Sequence, residues 1–233
     1  MKCRLVQSAL LCLLLTATAF ATDTLDRVVA TVNRKPILAS DVEDEAHLEA
    51  LQQGRPGAAL DGERRAVLSR IIERELICQQ MPDGFEPSRE AIDRRIADMR
   101  ALFPEAQTGQ QWEELLANYG LGSPDLREAV KVQLQVLHFL DIRLRPTVRV
   151  DRQEIGDYYS NQLVPKVKAA GGNADPLDKV QDKIEEVLLQ QKMTEVFNAW
   201  MTNLRNQANI RILDSTLAPP SKAEAEKGAR ASQ

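Results

Sequence analysis

The sequence predicts a mainly α-helical module that opens on a small β-hairpin and closes on one long helix. Three observations carry this. Val28 to Val42 reads as strand, turn, strand and helix start; apolar residues then recur at helical spacing between Gly- and Pro-rich breaks; and about thirty residues before Asn209 keep a single apolar stripe.

In chain order, Val28 to Val32 is a short β-branched run, Asn33 to Pro36 has turn chemistry, and Ile37-Leu38 returns as a second strand. Such a hairpin is too small to stand alone. Ser40-Asp41-Val42-Glu43 reads as a capping box starting the first helix, which Gly54, Pro56 and Gly57 end. Asp61 opens a second helix running to Gln80, with Val67, Leu68, Ile71, Ile72 and Leu76 on its core face. Ser88 caps a third, carrying Ile92, Ile96, Met99 and Phe103, and Trp112, Leu115, Leu116 and Tyr119 mark a short fourth.

Ser123-Pro124-Asp125 supplies a cap, a proline and a first-turn acid for a helix reaching Leu144. This helix has two apolar sides, Leu126, Val130, Leu134 and Leu137 on one and Val132, Val136, Phe139 and Leu140 on the other, so it is expected to be central. Asp151 to Glu154 is a further cap, leading to Ile155, Tyr158 and Tyr159. Pro165, Gly171-Gly172 and Pro176 then read as a loop. Asp175-Pro176-Leu177-Asp178 restarts the chain as the long helix, whose stripe runs from Val180 through Trp200 to Leu204, and Ile210 to Leu213 follow as a strand.

Residues 1–21 place Lys2 and Arg4 before an apolar run and Ala19-Phe20-Ala21, the order of a cleavable export signal, with Thr22 as the expected mature N-terminus. The apolar run is shorter than the ~20 residues a membrane span needs. Cys3 and Cys12 leave with it, so Cys78 remains without a disulfide partner and reads as a small buried hydrophobe. The formal charge of −4 becomes roughly −6 without Lys2 and Arg4. Arg64, Arg65, Arg70 and Arg74 alternate with Glu63, Glu73 and Glu75 as on a solvated face, and no basic stripe with interleaved aromatics suggests nucleic acid.

No motif supplies chemistry. His47 has Glu43 and Asp44 one turn earlier but reads as a surface histidine among acids, since a metal needs three or four convergent ligands. His138 reads as a core-edge histidine. A nucleophilic elbow, phosphate loop and dinucleotide fingerprint are all missing from the sequence, so neither metal nor cofactor is expected. What remains is apolar surface: Met81, Met99, Phe103, Trp112, Leu116 and Tyr119 are the candidates to line a groove for extended polypeptide, each of them also a natural core residue.

Val32-Asn33, Ile37-Leu38 and Ser40-Asp41-Val42, with the order of elements through Trp200, Leu204 and Ile210, resemble the SurA-type periplasmic chaperones. The resemblance implies that Ile210 to Leu213 return to the N-terminal hairpin, and that a stretch like Val150 to Tyr159 precedes a parvulin-type prolyl isomerase domain. Here about eighteen residues follow Tyr159 before the next helix, fewer than the ~50 a folded domain needs. The expected organisation is a signal at 1–21, a helical chaperone domain at 22–160, a loop at 161–177 in place of the isomerase, a completing helix and strand at 178–213, and a disordered tail at 214–233. The resemblance implies an exported, ATP-independent holdase for unfolded envelope or outer-membrane proteins, with neither nucleic acid nor membrane insertion. The alternative is a non-catalytic adaptor for one folded partner.

Overall fold

The computed structural model describes residues 26–55 and 61–218, so the expected export signal and residues 219–233 of the expected tail lie outside the described residues. Strands β1 (Val28–Val32) and β2 (Lys35–Leu38) lead into α1 (Ala39–Gln52), α2 (Asp61–Cys78), α3 (Arg89–Arg100), α4 (Gly109–Asn118) and α5 (Ser123–Leu144). Helices α6 (Arg152–Tyr158) and α7 (Val164–Ala169), the long α8 (Leu177–Gln207) and strand β3 (Ile210–Ile212) complete the order.

The sheet order is β2-β1-β3, all antiparallel, with Val32 opposite both Lys35 and Ile210. The N-terminal hairpin and the C-terminal strand of the described residues therefore meet in one sheet, as the resemblance implied. Asn33 and Arg34 turn the hairpin with φ of 50° and 75°, the two left-handed positions of a tight two-residue turn, one of which asparagine tolerates well. Asn33 also joins three elements: its amide donates to the Asn209 carbonyl at 2.9 Å, its side-chain oxygen accepts from the Asn209 amide at 2.8 Å, and its Nδ2 donates to Gln79 Oε1 at 2.7 Å.

Two buried clusters make the interior of the described residues. The first packs the inner face of the sheet (Val29, Ala30, Val32, Ile37) against Val42 and Ala46 of α1, Val67 to Ile77 of α2, Phe139 of α5 and Met201 of α8. The second gathers Leu48 and Leu51 of α1, Met99 and Phe103 around α3, Trp112, Leu116 and Tyr119 around α4, and Leu126 and Val130 of α5. Helices α1 and α5 serve both, which accounts for the two apolar sides of α5: Leu126 and Val130 enter the second cluster, while Phe139, Val136 and Leu140 pack on the first. Leu137 falls between neighbours and is 63% exposed.

The arginines of α2 do more than solvate a face. Arg64 pairs with Glu43 at 2.9 Å, Arg70 with Glu49 at 2.5 Å and Arg74 with Glu45, so α2 is laced to α1 over the apolar contact, and Arg205 of α8 reaches Glu73 at 2.6 Å. The helix starts also differ in detail from the sequence expectation. Ser40 does not cap α1; its hydroxyl donates to Asp26, while Asp41 accepts from the Leu38 amide at 2.8 Å. Ser123 likewise donates to Glu113 at 2.5 Å, leaving Gly122 as the cap of α5, and α8 follows Pro176 without a side-chain cap. Ser88 and Asp151 cap as expected, Asp151 and Glu154 exchanging bonds of 2.9 Å.

The segment after Tyr159 is a correction. The chain stays helical to Ala169, through a π-helical turn at Tyr159–Leu163 and then α7, so only residues 170–176 connect it to α8. Pro165 lies within the first two positions of α7, where the widened turn spares it the carbonyl four residues earlier and its missing N–H goes unused. The resulting helical hairpin is pinned by Tyr159 Oη donating to the Asp175 carbonyl at 2.9 Å and by Lys192 reaching both the Arg149 carbonyl at 2.7 Å and Glu154 at 2.5 Å, over buried Ile155 and Ile184. The start of the expected tail is a second correction: Asp214 and Leu217 are buried, Asp214 pairing with Arg27 at 2.8 Å and accepting from Thr216.

His47 is half-buried instead of sitting in open solvent. It packs on Gly120, whose φ is +73° and whose added Cβ would lie 2.7 Å from the imidazole. Gly120→Ala is expected to cost about 2 kcal/mol, from the left-handed backbone and the displaced ring together, read as a lowered melting temperature.

Candidate functional site

Between the two cores the helices do not close completely. A cleft of about 400 Å³ opens between β2, α1, the second half of α2 and the N-terminal half of α5. Its floor is apolar: Pro36 and Ile37 from β2, Ile71 and Cys78 from α2, Leu121, and Ala129 and Val132 from α5. It exists because α5 turns Phe139 to one cluster and Val130 to the other, leaving Ala129 and Val132 half-buried between them. The volume falls within the range of about 300–1,000 Å³ common to binding pockets.

Its rim is charged. Lys35 bonds Glu75 at 2.7 Å and Arg74 bonds Glu45, so the two cations of the cleft are neutralised by acids beside them. Asp41, Asp44, Asp125 and Glu128 add further negative charge. Partial desolvation raises the Asp44 carboxyl above its ordinary value, and the neighbouring charge of Asp125 pushes the same way. Burial also raises the Cys78 thiol, and nearby Glu75 adds to this, so Cys78 stays a neutral wall residue instead of a thiolate.

The six residues read from the sequence as groove candidates lie elsewhere. Met99, Phe103, Trp112, Leu116 and Tyr119 are buried together in the second cluster, with Phe103 centred 6.2 Å from the rings of both Trp112 and Tyr119 and the Arg100 guanidinium over Trp112. Met81 is half-buried at the edge of the first cluster. Ile71 is buried as the sequence reading expects, and so is Ile37, each meeting the cleft only at its edge, while half-buried Val132 obeys the same periodicity as its buried neighbours and so gave no sign of the cleft. The signal that could have found it was the doubled apolar stripe of α5, since a helix feeding two cores leaves a seam.

Among the described residues no group of three or more His, Cys, Asp or Glu is placed to hold a metal ion. His47 has a buried Nδ1 without a hydrogen-bond partner among the described residues, and Glu43 pairs with Arg64. His138 is exposed and stacks on Phe85 at 5.0 Å. No described helix is long and apolar enough to cross a membrane.

A family model described as the SurA-like N-terminal domain matches residues 5–140. No curated protein matches the chain. Among solved structures, one from work on PEB4 and the periplasmic protein Cj1289, described as two structurally related SurA-like chaperones of Campylobacter jejuni, matches with a TM-score of 0.52 and 12% identity, covering 81% of this chain and 99% of that one. That likeness is one of fold, and it extends beyond the span of the family model. The seven residues between α7 and α8 leave no room there for an inserted isomerase domain. With more than half its length matched by the family model, the chain belongs to the SurA-like N-terminal domain family.

Proposed function

We propose that the chain is an exported, ATP-independent holdase that captures extended segments of unfolded envelope proteins, outer-membrane proteins among them. The observation that carries this reading is the open cleft with an apolar floor, in a fold shared with SurA-like chaperones. Its physical basis is weak, multipoint contact. Side chains of an unfolded client enter the cleft and rest on exposed apolar positions such as Leu137 and Ile142 of α5 and Val187 and Leu189 of α8. Ordering the client offsets much of the contact energy, so affinity stays modest and release to a stronger folding partner is easy. Met99, Phe103, Trp112, Leu116 and Tyr119 act here as the packing that fixes α1 and α5, with Met81 at the margin.

The test is suppression of aggregation of an unfolded β-barrel membrane protein at stoichiometric ratio. Suppression is expected without ATP and at about 1 M salt, where charges are screened beyond ~3 Å, and Val132→Asp on the cleft floor should weaken it several-fold. Binding of one folded partner with no effect on unfolded chains would instead establish the adaptor, and turnover of a prolyl peptide would restore the isomerase.

A further inference from the structure

The cleft's rim and its strand edge specify what kind of segment it takes. In the two-residue hairpin, Val32 and Lys35 form the hydrogen-bonded pair beside the turn, so the next pair, Thr31 and Pro36, points its backbone groups away from each other. Pro36 therefore places its missing N–H on the free edge of β2, and the next outward donor, the Leu38 amide, is taken by Asp41 at 2.8 Å. An extended chain finds no ladder of donors there, so recognition by added-strand pairing is blocked and side chains must carry it. Those side chains meet Pro36, Ala129 and Val132 below and a rim of unbalanced negative charge above. Lys35 and Arg74 are already neutralised, and among the described residues Asp125 accepts from the Gly122 amide at 3.2 Å without a cation and Glu128 has only Lys131 at 3.8 Å.

Building on the chaperone reading, we propose that the cleft selects cationic amphipathic polypeptide segments, in which an aliphatic side chain fills the floor and an adjacent Lys or Arg reaches Asp44 and Asp125. Charge complementarity decides the occupant. An acidic segment of equal hydrophobicity meets like charge on the same rim, and a neutral one gains only the floor. Partial desolvation of Asp44 beside Asp125 is the cost that a bound cation removes.

The experiment measures binding of the full exported chain to three labelled peptides of equal length and aliphatic content, interspersed with Lys, Ser or Glu. The Lys peptide is expected to bind roughly tenfold tighter than the Glu peptide at low salt, since each exposed charge pair is worth up to about a factor of five, and this difference should collapse in 0.5 M salt. Asp44→Asn with Asp125→Asn should remove the difference and leave the Ser peptide unchanged; asparagine at 125 keeps an oxygen for the Gly122 amide, and Asp44→Asn alone, which breaks no internal hydrogen bond, should give a partial loss. Equal binding of the Lys and Glu peptides, or a preference that survives both substitutions, overturns the proposal. If unfolded barrel protein is still held while the peptides are not discriminated, the selectivity fails and the holdase stands; if neither peptide nor unfolded client is held, the holdase reading fails.

Discussion

A chain ended at Asn206 is expected to lose most of its cooperative stability, although the residues removed include only one short strand. β1 would keep its pairing to β2 and lose it to β3, Asn33 would lose both bonds to Asn209, and Leu217 and the Asp214–Arg27 pair would leave the first core. Removing Leu217 and the partly buried Ile210 and Ile212 forfeits roughly 4–8 kcal/mol at about 1.5–3 kcal/mol per buried aliphatic, comparable with the whole stability of an ordinary domain, about 5–15 kcal/mol. A melting curve should show a broad transition or none. A point variant isolates the ladder. Leu213 donates to the Val29 carbonyl at 2.8 Å and Asn33 to that of Asn209, so Arg211 between them is the residue that exchanges bonds with Thr31. Its side chain is exposed, so Arg211→Pro removes a donor and little packing, and should cost about 2–3 kcal/mol. If the truncated chain melts like the full one, the two ends fold independently and the sheet is not what closes the module.

Leu116→Ala should lower stability by about 3 kcal/mol, the middle of the range for emptying a buried leucine site, and the melting temperature by roughly 6–12 °C for a chain of this size. Leu116 is fully buried, where α4 meets α1 and α5. Replacing Met99, Phe103 and Trp112 together by polar residues should go further and unfold α3 and α4, with loss of helicity measured by circular dichroism, because each buries its side chain in that one cluster. A triple variant that kept its helicity and melting temperature would show that the cluster is not packed as described.

Much of this fold was legible in the chain. The periodicity of Val67 to Leu76, the Asn33 turn, the caps at Ser88 and Asp151, and the thirty-residue stripe ending near Asn209 each follow from local rules, since a helix needs one apolar face and a tight hairpin needs left-handed residues. The resemblance to SurA-type chaperones added the pairing of β3 with β1, a contact spanning nearly the whole described chain that no local rule encodes.

The sequence by itself determined the order and helical frame of every helix except the continuation from Tyr159 to Ala169, because these depend on residues within one or two turns of each other. Tertiary structure decided which apolar residues are inside. Met99, Phe103, Trp112, Leu116 and Tyr119 have the composition of a binding groove and the position of a core, whereas Ala129 and Val132 have the composition of a core and stay half-buried beside the cleft. The physical reason is that α1 and α5 are shared between two clusters. Periodicity marks the apolar faces of a helix, and only the seating of its neighbours leaves part of a face open.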